Sequence, residues 1–334
     1  MRGQGINYDT GFSPGGKISR PDFDADIVRR EMQVIADELH CTAVRVSGGE
    51  PGRLSLAGEA AAAAGLEVWF SPFPCELTAG ELAPLFADCA DRAEHLRRSG
   101  APVVLVTGCE LSLFAAGFLP GGSVYERIAG LRSPSPQLYT AFAAMPARLN
   151  GFLAETAAAA RERFAGPLSY ASGMWEPVDW RPFDFAATDA YRDTDNAGRF
   201  RAELRQQLGH GKPLAVTEFG CCTYAGAAGR GGLGWAIIDE TADPPRLDGD
   251  YVRDEAEQVG YLRELQTIFD EEGVDLAFWF TFAGYGLPHA TGPRRDLDLA
   301  SYGVVRVLES GPPGGYQGLG WEPKLVFGAL AGSG

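Results

Sequence analysis

The sequence predicts a single closed (β/α)8 barrel, the TIM-barrel architecture, and three observations predict it. Short β-rich runs alternate with helical patterns along all 334 residues. The runs are apolar nearly throughout, as strands buried on both faces of a parallel sheet must be. No linker rich in Pro, Gly or Ser divides the chain into halves, so one domain spanning residues 1–334 is expected.

Eight candidate strands follow in order. They are "GINYD" (5–9), "CTAVRVS" (41–47), "LEVWFSP" (66–72) and "PVVLVTG" (102–108), then "PLSYAS" (167–172), "FDFAATDAY" (183–191), "KPLAVTEFG" (212–220) and "VDLAFWFTF" (274–282). Helical patterns fill the gaps. In "DFDADIVRREMQVIADELH", Val28, Met32, Ile35 and Leu39 recur at helical spacing behind acids in the first turn. "LTAGELAPLFADCADRAEHLRRSG" ends in basic residues and Gly, a C-terminal signal. "SPQLYTAFAAMPARLNGFLAETAAAARERFAG" is long, with a kink expected at Pro146. "DGDYVRDEAEQVGYLRELQTIFDEEG" is the clearest helix, and "WEPKLVFGALAG" closes the chain. An open doubly wound sheet competes with this architecture. However, the first strand–helix turn, "YDTGFSPGGKISRP", lacks G-x-G-x-x-G, and the glycines of "GAAGRGGLGW" (226–235) follow the seventh strand without leading directly into a helix. They read as a flexible lid.

Composition narrows the function. Apolar residues make up 45% and charged residues 22%, enough for a large core. A formal charge of −15 disfavours nucleic acid and anionic membranes as partners. No apolar run approaches the roughly eighteen residues of a membrane span, and the start "MRGQGINYDTGF" has no signal-like apolar stretch. A cytoplasmic protein acting on a small neutral or cationic molecule is expected. The cysteines at 41, 75, 89, 109, 221 and 222 form no C-x-x-C and read as reduced thiols.

Two connections are long, roughly thirty residues after strand seven and about forty after strand eight, against the usual two to six. In a barrel such insertions rise over the C-terminal mouth, where active sites form. Two acids follow one grammar there. Glu218 in "AVTEFG" and Glu110 in "LVTGCE" each come after an apolar strand, a Thr and a short step. Strand ends converge on the barrel axis, so both carboxyls can face one cavity. Glycoside hydrolysis needs such a pair, one acid attacking the anomeric carbon and one protonating the leaving oxygen.

At these residues the chain resembles the clan A retaining glycoside hydrolases. The resemblance implies Glu218 as nucleophile and Glu110 as acid/base. It also implies Arg45 ("AVRVS") beside the nucleophile, Tyr191 ("TDAYRD") in contact with it, and Trp279 ("FWFTF") under the sugar ring. The motifs "TEFGCCTYAGA", "RLDGDYVRDEAEQ" and "DLDLASYG" resemble a group of actinobacterial proteins labelled "abortive phage infection". One departure stands out: clan A enzymes usually carry Asn before the acid/base, and here it is Cys109, a weak donor.

Plainer readings stand beside these. Glu218 could be a structural ion-pair partner of Arg45, and a lone Glu110 would be a solvated loop acid. Trp175 and His289 are candidate substrate contacts; Trp69 and Trp180 read as packing. Asp296 and Asp298 invite a metal, but no second cluster with ligand spacing accompanies them, nor do Cys221, Cys222 and His210 form a zinc set. No metal or cofactor is expected, and neither G-x-S-x-G nor H-E-x-x-H occurs. The expectation is a retaining glycosidase or transglycosidase acting on a small glycoside or glycosylated metabolite. A cyclase or lyase using the same acids, and a catalytically silent barrel with a binding or defence role, stay open.

Overall fold

The computed structural model describes residues 1–133, 135–292 and 294–332. Eight parallel strands form the closed ring: β1 (Gly3–Gly11), β2 (Ala43–Gly48), β3 (Glu67–Pro72), β4 (Val103–Cys109), β5 (Leu168–Gly173), β6 (Ala186–Asp189), β7 (Leu214–Phe219) and β8 (Leu276–Trp279). Each pairs with its sequence neighbours, and β1 closes on β8 with Gly3 opposite Leu276 and Ile6 opposite Trp279. The expected (β/α)8 barrel is therefore the fold observed.

The outer layer holds α1 (Ala25–Asp37), α2 (Pro51–Ala63), α3 (Ala79–Arg98), a short α4 (Leu111–Phe114), α5 (Val124–Arg132), α6 (Pro136–Arg161), α7 (Phe200–Leu208), α8 (Glu255–Glu272) and α9 (Leu325–Ala331). Local chemistry sets their ends. Asp24 caps α1 through the amides of Asp26 and Ile27, and Thr78 with Glu81 forms a capping box on α3. Gly273, at φ 82°, ends α8 in a left-handed conformation natural to glycine. Pro146 lies inside α6, which continues past it to Arg161.

The strict eightfold strand–helix alternation breaks once. Residues 174–185, between β5 and β6, contain no helix. Their apolar groups Val178, Trp180 and Phe183 fold down to cover that part of the sheet. Pro177 and Pro182 remove two amides that a helix would need.

Side-chain parity separates two cores. Small Ala43, Ala171, Ala187 and Ala215 face the barrel axis with bulky Trp69, Leu276 and Phe278, so large and small residues interlock. Trp69 packs edge-on to Phe278 at 5.1 Å and to Phe185 at 5.3 Å. Residues of opposite parity pack outward against the helices. No helix among the described residues is long and apolar enough to cross a membrane.

Candidate active site

Glu218 and Glu110 both reach the C-terminal mouth through register irregularities. Between β6 and β7, Thr188 faces Val216 but Asp189 faces Glu218, so β7 gains one residue and Glu218 turns to the axis. Between β4 and β5, Val106 faces Ser169 but Cys109 faces Ala171. Gly108 at φ 110° takes up that step, and Glu110 follows in a left-handed conformation at φ 41°, ψ 47°. A non-glycine residue held this way is uncommon and marks a position that its surroundings impose.

Those surroundings are specific. Leu111 N–H donates to Tyr170 Oη at 2.7 Å, and Tyr170 O–H donates to Glu176 Oε2 at 2.8 Å. Glu176 also accepts from the amides of Ser112 at 2.9 Å and Gly173 at 3.1 Å. One buried carboxyl thus pins the turn carrying Glu110 to the end of β5. Glu176 was not singled out in the sequence, where it reads as an ordinary loop acid.

Glu218 is gripped from two sides. Arg45 Nη1 donates to Oε1 at 2.7 Å and Tyr191 Oη donates to Oε2 at 2.9 Å. Arg45 is fully buried and is itself positioned by Ser71 Oγ at 3.0 Å and Asn7 Oδ1 at 3.2 Å. The sequence-derived trio of Arg45, Tyr191 and Glu218 is brought together. Among the described residues, no hydrogen bond reaches the Glu110 carboxylate. Burial, followed by the charges of Asp189, Glu218 and Glu176, holds its acidity down, so its pKa lies well above the usual carboxylate range.

A third acid was missed. Asp189, at the end of β6, has its side chain fully buried, with Oδ2 at 3.4 Å from Cys109 Sγ and Oδ1 at 4.0 Å from Arg45 Nη1. Burial and the Glu218 charge push its pKa well up as well. The signal was available in the sequence, because Asp189 shares inward parity with Ala187. Cys109 stands between the acids, 3.8 Å from Glu218 Oε1, and it is only 1% exposed. Donor atoms of Cys109, Asp189 and Glu218 all lie within 4.8 Å of one another, a spacing that suits a metal ion. Arg45 already places a buried cation against this group.

Trp279 is not brought to the site. Because Phe278 points to the axis, Trp279 points outward, fully buried edge-on to Phe219 at 5.4 Å, with its indole N–H donated to Tyr302 O at 3.0 Å. Phe280, the next residue of axis parity, approaches Tyr191 (6.5 Å between centroids) and Tyr302 (5.7 Å) and begins the cis Phe280–Thr281 peptide. His289 also lies elsewhere. Its Nδ1 pairs with Asp296 Oδ1 at 2.9 Å, in a cluster where Arg253 bonds both Asp296 and Asp298 and Lys324 bonds Asp298. Asp296 and Asp298 therefore already have cationic partners. Trp175 stays at the mouth, 41% exposed, its indole donating to Ser112 Oγ at 3.2 Å. All six cysteines are free.

The barrel is similar in fold to those of several glycoside hydrolases of known structure. A GH113 β-1,4-mannanase superimposes with a TM-score of 0.63 at 13% identity, covering 100% of this chain and 99% of its own. The GH113 β-mannanase AaManA from Alicyclobacillus acidocaldarius, solved with ManMIm, gives 0.58 at 17% identity, covering 92% of this chain and 91% of its own. A β-glucuronidase from an uncultured Clostridium sp. gives 0.58 at 13%, with this chain matching 50% of its length. At such identities the likeness establishes the fold alone. No family model and no curated protein matches the sequence.

Proposed function

We propose that this chain is a single-domain retaining glycoside hydrolase or transglycosidase, in which Glu218 is the nucleophile and Glu110 the acid/base. The carrying observation is the unequal treatment of the two carboxyls. Glu218 takes charge-assisted donors on both oxygens, from Arg45 at 2.7 Å and Tyr191 at 2.9 Å. Glu110 takes none among the described residues and is held in its acid form by burial and by neighbouring negative charge. Two acids with such different partners are suited to opposite roles.

In the first step Glu218 attacks the anomeric carbon while the bond to the leaving oxygen breaks and Glu110 delivers its proton to that oxygen. In the second, Glu110 takes a proton from water or an acceptor hydroxyl, whose oxygen displaces Glu218 from the same carbon. Tyr191 and Arg45 release part of their hold on Glu218 as its charge is consumed, and regain it as the carboxylate departs. The fold-level neighbours named as mannanases and glucuronidase suggest β-linked manno- or gluco-configured glycosides as first candidates. Trp175 offers an aromatic face at the mouth.

A panel of aryl glycosides tests this reading. Turnover should appear on at least one, and Glu218→Gln should lower kcat by about 10³-fold or more. The matching 2-deoxy-2-fluoro glycoside should leave an adduct that peptide mass spectrometry places on Glu218. An adduct elsewhere, or full turnover by Glu218→Gln, refutes the assignment.

A further inference from the structure

Loops from three well-separated strands meet one another, and in a closed ring they can meet only above its opening. The loop after β4 supplies α5, whose Tyr125 ring lies 6.1 Å from that of Trp235 in the loop after β7. The loop after β1 lies against the same tyrosine, since a Cβ on Gly15 would come within 2.8 Å of it. That loop also reaches the β7 loop, where Lys17 Nζ is 3.2 Å from Glu240. This last ion pair is largely exposed and adds little stability, but it records how near the two loops are.

The α5 corner is firmly held. Arg127 is fully buried, paired with Glu76 from the β3 loop and donating to Gly121 O at 2.9 Å, and Glu76 also accepts from Val124 N–H at 2.7 Å. The Trp235 side is anchored too: Tyr302 O–H donates to Gly231 O at 2.7 Å, and Gly234 N–H donates to Tyr302 Oη at 2.9 Å. The glycine-rich segment expected to be a flexible lid is tied down by these bonds.

Beneath this roof, the β1–β4 side of the mouth is filled. Phe12 stacks on Phe73 at 5.2 Å, and Phe73 meets Phe114 edge-on at 4.7 Å. Asp189 and Glu218 stand on the other side, on β6 and β7, with Glu110 at the boundary after β4, and Trp175 is exposed at the helix-free connection after β5.

We infer that the mouth is a blind pocket, roofed by Tyr125 and Trp235, walled by Phe12, Phe73 and Phe114, and entered past Trp175, so that it takes the end of a glycan or a small glycoside and not the interior of a chain. A polymer bound for internal cleavage must run on beyond the cleaved bond in both directions. Here one direction ends against phenylalanines. The inference rests on the glycosidase reading and specifies its substrate class.

The test uses β-1,4-linked manno- and gluco-oligosaccharides labelled at the reducing end, with the wild-type protein and Trp235→Ala and Tyr125→Ala variants. None of these substitutions touches the acids or their partners. Wild type should shorten substrates from one end by a constant unit. Opening the roof lets a chain leave over the top of the phenylalanines, so the variants should raise internal cleavage by at least about tenfold relative to end cleavage. Internal fragments from wild type overturn the inference. Amide exchange read in parallel across residues 122–132 and 227–240 is independent of turnover: Trp235→Ala should deprotect both segments. Unchanged protection of 122–132 means there is no roof and also overturns the inference. Absence of turnover on every glycoside, with exchange behaving as expected, retires the glycosidase reading and the chain-end claim with it, while the roof itself stands.

Discussion

Glu110 is the residue at which the proposed function and stability pull apart. Its carboxyl is half-buried near Asp189, Glu218 and Glu176, with no donor among the described residues, and its pKa is raised by desolvation and those charges. A carboxyl whose folded pKa lies above its unfolded value binds more protons when folded. Stability therefore falls as pH climbs from the unfolded value, about 4.3, to the raised folded one. Glu110→Gln removes this ionisation. It should raise Tm at neutral pH, by about 2–4 °C for each kcal/mol relieved, with the gain shrinking toward pH 4 while turnover is lost. Thermal melts across that range check this; a variant less stable at pH 8 than wild type contradicts it. The grouping of Arg45, Tyr191 and Glu218 was legible through the family resemblance, and Glu110 through the grammar it shares with Glu218. Asp189 and Phe280 were not, although counting parity from Ala187 and Phe278 would have found both. Trp279 was singled out by the family resemblance alone, but one position of parity places it on the outer wall.

At the scale of elements, the turn after β4 depends on β5. Tyr170 Oη accepts from Leu111 N–H and donates to Glu176, linking the two strand ends through one hydroxyl. Tyr170→Phe leaves a buried amide and a buried carboxyl each one bond short, at a cost of about 1–3 kcal/mol. The expected signature is a lower kcat with KM little changed, since the acid is misplaced while the rest of the mouth is intact. Equal loss in Tyr170→Phe and Glu176→Gln, with the double variant no worse than either, would show them acting as one latch. Strand positions were readable from apolar runs to within a few residues, β6 being shorter than its run implied. The bulges on β4 and β7 were not readable, because register is a property of two strands and each run shows only one. No helical pattern was readable after β5, where Pro177 and Pro182 oppose one, and none forms there.

At the scale of the whole molecule, one carboxylate ties the early part of the chain to its late part. Glu31 on α1 accepts from Tyr8 at 2.5 Å, Tyr285 at 2.8 Å, Trp321 at 3.0 Å and Arg20 at 3.1 Å, and is completely buried. Arg20 lies 3.7 Å above the Tyr285 ring, adding a cation–π contact. Glu31→Ala strands the buried Arg20 charge and should cost about 3–5 kcal/mol, seen as a lower urea midpoint at unchanged m-value. A loss within 0–1 kcal/mol, the range of exposed pairs, would mean that water replaces the carboxylate. Nothing in the sequence hints at this hub, whose partners lie up to 290 residues from Glu31.

The bare stretch between β5 and β6 has a consequence for how such a protein would diversify. Elsewhere around the ring, a change near the rim disturbs the cylinder that follows it. Here Arg181 is 89% exposed in its side chain and no cylinder follows. Around exposed Arg181 this wedge can take insertions that its buried neighbours Glu176, Val178, Trp180 and Phe183 cannot. It is therefore where kindred sequences accommodating different aglycones should drift apart first.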